Sequence, residues 1–139
     1  MTAPFPVTLQ ALLFMAGALH FIQLPALLLY KKEGVGDVSA LSPMERDVKK
    51  AMTGGILLVV LGLGVVVMAN AGTLAQGGRL ARSLCFFLAL FWSFRAAMQV
   101  AVFSKYFKNG LRGRVKYYGL LAILLTKTCI YLGAALIIS

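Results

Sequence analysis

Four stretches of this 139-residue chain, 7–30, 51–70, 80–103 and 117–138, are almost wholly apolar. Each is as long as the roughly 20 residues a helix needs to cross a bilayer. In hydrocarbon a lone segment can pair all its backbone amides and carbonyls only by coiling into a helix. The predicted fold is therefore an all-α integral membrane protein, a four-transmembrane-helix bundle forming one domain over 1–139. Composition points the same way, with 60% hydrophobic and 13% charged residues, where a soluble domain has about 45–50% and about 25%. The chain left between the spans is too short for a soluble catalytic or binding domain. Function is expected inside the bundle, on its short loops, or at contacts with other chains.

The charge distribution predicts orientation. Net charge is +10, from 14 Lys and Arg against 4 acids. Lys31, Lys32, Arg46, Lys49 and Lys50 lie between the first and second spans, and Lys105, Lys108, Arg112, Arg114 and Lys116 between the third and fourth. The opposite side carries only Arg79 and Arg82. The positive-inside rule then places both termini on the non-cytoplasmic side. The basic rim should attract anionic headgroups of the cytoplasmic leaflet, at about 1 kcal/mol per residue. Nucleic acid is not an expected partner, because the aromatics that would stack on bases lie in the apolar spans.

The start, MTAPFP, lacks a basic n-region, and apolar character continues past Ala16-Gly17-Ala18 to Tyr30. That exceeds a signal-peptide core, so a retained first helix is expected. Cys85 and Cys129 fall within spans and form no CxxC. They read as small buried hydrophobes, with no disulfide framework, zinc site or other metal site expected and no cofactor indicated.

Tyr30-Lys31-Lys32 forms an interface anchor, followed by a Gly-rich turn from Glu33 to Asp37. Ser42-Pro43-Met44-Glu45 is a capping box, predicting a helix from near residue 43 that enters the membrane around Ala51, with Glu45 and Lys49 spaced to pair. Gly54, Gly55, Gly62 and Gly64 suit close backbone packing of this second helix. Gly72, Gly77 and Gly78 are expected to break the outer loop 70–78, and Asn109-Gly110 to end a third helix that overruns the membrane by a turn. No internal repeat is visible.

Depth singles out the candidate site. His20, Arg95 and Lys127 each lie eight to ten residues from the cytoplasmic end of their spans, about 12 to 15 Å from one interface at 1.5 Å per residue. Gln23 and Gln99 extend this layer by a turn, and Trp92 shares a helical face with Leu88, Arg95 and Gln99. Cations at a helix centre cost at least about 2.5 to 3.5 kcal/mol, so Arg95 and Lys127 are expected to face the interior. No Asp or Glu lies in any span. Their charge must be met by an anionic substrate, a lipid phosphate or fatty carboxylate, carbonyls with water, the acidic first loop, or a carboxylate of another chain. His20 is the sole histidine, so one chain cannot ligate haem through two. Pro25 should loosen the helix near Gln23 and His20.

A second face of the third span carries Ala81, Cys85, Ala89, Ser93, Ala97 and Ala101 at every fourth position. Such a small-residue ridge permits close helix approach in lipid, so a homo-oligomer or a larger membrane complex is expected.

Termini on the outer side, basic inner loops, a charged entry to the second helix and Arg95 in the third together resemble the layout of the membrane-associated eicosanoid and glutathione metabolism family. That family comprises trimeric, glutathione-using enzymes, so the resemblance implies a lipophilic substrate. Its second helix opens with a basic residue followed by an asparagine and a glutamate that help hold glutathione. Here Glu45-Arg46-Asp47-Val48-Lys49-Lys50-Ala51-Met52-Thr53 runs into Gly54-Gly55. The resemblance is thus one of topology. Small multidrug exporters are similar only in size, since their first-helix glutamate is absent here.

The least demanding functional reading is a non-enzymatic subunit or oligomeric binding protein whose cationic layer contacts a lipid, a quinone-like molecule or an acidic partner group. One alternative is a membrane enzyme in which Arg95 and Lys127 stabilise developing negative charge while His20 or Lys127 transfers protons. The other is an anion channel or carrier that uses the same cations for selectivity.

Overall fold

Proline and glycine positions decide where the helices break. The computed structural model describes residues 5–32, 38–107 and 110–138, and every element in them is helical. The turn from Glu33 to Asp37, and Asn109, lie outside the described residues. The first span is two α-helices, α1 (Phe5–Ala18) and α2 (Gln23–Lys32), joined by a 3₁₀ turn over Leu19–Ile22. Pro25 lacks the amide that would bond to Phe21, so regular α-helical pairing cannot pass through this turn. The Gln23 amide donates three residues back, to the His20 carbonyl.

Helix α3 (Pro43–Ala69) begins at the expected capping box. The Glu45 amide donates to Ser42 Oγ at 3.3 Å, and the Ser42 amide donates to the Glu45 carboxylate at 2.8 Å. Pro43 takes the first turn, where an amide would have no helical partner. On this basic stretch Lys50 pairs with Asp47, at 3.7 Å.

Two expectations about the loops are corrected. The outer connection is not a glycine-broken loop throughout, because Ala71–Gln76 forms a short helix, α4, with Gly72 inside it. Its buried Ala71 and Leu74 give this turn an apolar side to pack, and only Gly77 (φ 98°) and Gly78 (φ 108°) take the left-handed backbone that stops it. Helix α5 (Arg79–Ala101) ends before the predicted overrun and gives way to a 3₁₀ turn over Phe103–Tyr106. Gly110, with φ 64°, does not end that helix but opens α6 (Gly110–Ile137).

Four helical stretches, Val7–Lys32, Pro43–Ala69, Arg79–Ala101 and Gly110–Ile137, are long and apolar enough to cross a membrane. Helices α5 and α6 pack along each other, while α1 packs against α3, α4 and α6. The interior is mostly apolar, and apolar side chains also cover the outside. Phe86, Phe87, Leu90 and Phe94 of α5 face outward, whereas His20, Gln99 and Lys127 are fully buried. Hydroxyls within the helices bond back one turn, Thr53 to Lys49, Ser93 to Ala89 and Thr128 to Leu124, which pairs them without a second helix.

Of the four glycines expected to bring α3 close to a neighbour, Gly64 alone does so. A Cβ on Gly64 would lie 2.7 Å from His20 Cβ and 3.0 Å from the Gly17 carbonyl oxygen, while Gly54, Gly55 and Gly62 face open space. The small-residue ridge of α5 divides along its length. Ala81, Cys85 and Ala89 are buried, but Ser93, Ala97 and Ala101 are exposed. Four residues turn a helix by 400°, so an every-fourth stripe drifts by about 40° per step and leaves the bundle's interior within three steps.

Candidate functional site

The polar side chains of the interior gather in two tiers. The inner tier joins α6 to the 3₁₀ turn and α5. Lys127 Nζ lies 3.2 Å from the centroid of the Trp92 ring and donates to the Leu19 carbonyl at 3.4 Å. An uninterrupted helix would bond that carbonyl to the Gln23 amide, so the break before Pro25 helps to present it. The His20 ring stands edge-on to Trp92 at 4.9 Å and to Tyr131 at 6.1 Å. His20 Nδ1 lies 2.9 Å from the Ala16 carbonyl. A carbonyl only accepts, so this nitrogen carries the proton and, in the neutral ring, Nε2 presents a lone pair.

The second tier lies toward the far end of α2 and the end of α5. Arg95 Nη2 donates to the Tyr30 hydroxyl at 2.8 Å, and that hydroxyl donates to Gln99 Oε1. The guanidinium also lies over the rings of Phe103, at 4.8 Å, and Tyr30, at 5.2 Å. The face of Leu88, Trp92 and Gln99 is buried and Arg95 beside it is half-buried. Gln23, half-buried at the start of α2, belongs to neither set of contacts.

The two cations therefore meet aromatic faces and single oxygen acceptors, with no carboxylate against either among the described residues. This partner is absent from the sequence-based alternatives. Sequence neighbours do not reveal it, because Trp92, one turn from Arg95 on the same helix, meets Lys127 of α6, while Arg95 lies over Tyr30 and Phe103. Tyr30, read as an interface anchor, instead holds Arg95 and Gln99 together.

Hydrogen-bond supply and demand in this interior do not balance. Trp92 Nε1, Arg95 Nη1, Gln99 Nε2, the Tyr131 hydroxyl and His20 Nε2 are buried and have no partner among the described residues. Three of these are donors only, the tyrosine hydroxyl can donate, and His20 Nε2 is the one acceptor in the neutral ring. Two cations add further donors. No group of three His, Cys, Asp or Glu side chains able to hold a metal occurs among the described residues. The arrangement is suited to a group rich in acceptor oxygens. Comparison with protein-family models, curated proteins and solved structures yields no match.

Proposed function

We propose that this chain is a small integral membrane protein of one domain, with both termini on the non-cytoplasmic side. In this reading its interior binds an acceptor-rich group of a lipophilic molecule, a quinone-like carbonyl or a fatty carboxylate, and it works as a non-enzymatic subunit or homo-oligomer. Its basic rim contacts anionic headgroups. The observation that carries the reading is the donor surplus around Trp92, Gln99 and Tyr131 beside two cations that meet no carboxylate among the described residues. A buried polar group without a partner costs about 1–3 kcal/mol, so a ligand that meets several of them gains binding energy from each. The outward apolar surface supports the lipophilic class, since it is the surface a bilayer would cover.

Native mass spectrometry on protein extracted with its own lipids tests this. The expected result is a stoichiometric acidic or quinone-like adduct, with Tyr131→Phe lowering its occupancy several-fold while the fold is kept. Phenylalanine removes the unmet hydroxyl and leaves the ring that packs near His20. The absence of any adduct, or an adduct that ignores Tyr131→Phe, Gln99→Leu and Arg95→Leu alike, overturns the reading. Purification in a defined complex with an unrelated chain would instead assign Arg95 and Lys127 to assembly.

A further inference from the structure

The end of the molecule formed by the Phe103–Tyr106 turn and the start of α6 holds a cleft of about 480 Å³, lined by Ser104, Phe107, Arg114, Tyr117 and Tyr118. Its volume falls in the range of small-molecule sites, and its lining combines one cation and three hydroxyls with an aromatic wall. The wall is fixed by ring contacts. Phe107 packs on Tyr117 at 6.0 Å and on Tyr30 at 5.7 Å, and Tyr117 on Tyr118 at 5.2 Å. Phe107 is buried, so it separates the cleft from the Tyr30, Arg95 and Gln99 tier.

Depth and charge identify the occupant. Tyr117 begins the apolar stretch of α6, and Arg114 is three residues earlier, about 4.5 Å along the axis at 1.5 Å per residue. That is the level at which tyrosine and arginine meet phospholipid headgroups. From Phe103 to Tyr118 the chain carries Lys105, Lys108, Arg112, Arg114 and Lys116 and no acid. Leu111, Val115 and Tyr118 are exposed beside the cleft, an apolar flank along which acyl chains can lie.

We infer that this cleft is a specific site for the headgroup of an anionic glycerophospholipid. Arg114 pairs with the phosphate, Ser104 and the tyrosine hydroxyls hydrogen-bond to it or to the polar group it carries, and the acyl chains run down the outside of α6. The inference rests on the reading that the four apolar helices span a membrane, but not on the interior ligand site.

The test is native mass spectrometry of the full chain from nanodiscs containing equal phosphatidylglycerol and phosphatidylcholine. One phosphatidylglycerol is expected to remain bound after the others are stripped. Arg114→Gln should lower its occupancy well beyond the about fivefold that any one cation near the surface contributes, and Ser104→Ala should lower it with no change in charge. Arg112→Gln removes the same charge from a residue that does not line the cleft, and should lower occupancy by no more than that about fivefold. Equal losses for Arg112→Gln and Arg114→Gln, with none for Ser104→Ala, would mean a diffuse basic surface and overturn the inference. Displacement of the lipid by millimolar inorganic phosphate would assign the cleft to free phosphate and overturn it also. Tyr131→Phe separates the two sites, since it is expected to remove the interior adduct and spare the headgroup lipid.

Discussion

At the scale of single residues, the Lys127 ammonium is held by an aromatic face and one backbone carbonyl inside an apolar shell. Desolvated cation–π contacts are worth about 2 kcal/mol or more, whereas a buried cation stripped of its partner costs about 3–5 kcal/mol. Trp92→Leu is therefore expected to destabilise the protein by about 3–5 kcal/mol, partly through the cavity it opens. Lys127→Met removes the charge along with its need for a partner and should cost less than about 1.5 kcal/mol. The double variant should be more stable than the sum of the two single changes implies, by about 1–2 kcal/mol. Denaturant unfolding in micelles reads all three, and strict additivity would show that the ring does not serve the cation.

At the scale of elements, the α1 and α3 pair is set by two glycines on facing helices. Gly17 and Gly64 bring each backbone within 3.0 Å of where the other's side chain would begin, so no larger residue fits without separating the helices. Gly64→Ala should cost about 1–3 kcal/mol and disturb His20, whose Cβ lies in the path of the new methyl group. Gly62→Ala, two residues earlier with nothing near it, should be neutral or stabilising by about 0.5–1 kcal/mol, because alanine is the better helix former. Thermal unfolding midpoints of the two variants in one detergent decide this. Equal shifts would mean that α3 does not approach α1 at Gly64.

At the scale of the whole molecule, the cations concentrate at one end. Positions 31–50 and 105–116 carry ten of the 14 Lys and Arg, and this excess sets the expected insertion. Alkaline phosphatase fused to the C-terminus in a bacterial host should be active, and a fluorescent protein fused there dark. Neutralising Arg112, Arg114, Lys116, Lys31 and Lys32 together should weaken that preference and give mixed orientation. A dark phosphatase fusion in the unaltered protein would reverse the assigned sides.

The helical class, the four long apolar helices and the start of α3 were legible because they depend on local rules: period, length and a four-residue capping box. Counting residues along straight helices put His20, Arg95 and Lys127 in one layer, whereas the first span breaks at His20 and the structure separates Arg95, beside Tyr30 and Gln99, from His20 and Lys127, which meet at Trp92. The partners of those cations were not legible, because a cation–π contact joins residues as far apart as Trp92 and Lys127, or Tyr30 and Arg95, through the rotation of helices about their own axes. The ridge on α5 shows the same limit, since its spacing is visible in sequence while the side on which each half lies depends on how α1 and α6 pack beside it. Local periodicity thus determined which segments are helices, and tertiary packing alone decided which polar atoms meet in the interior and which remain unpaired.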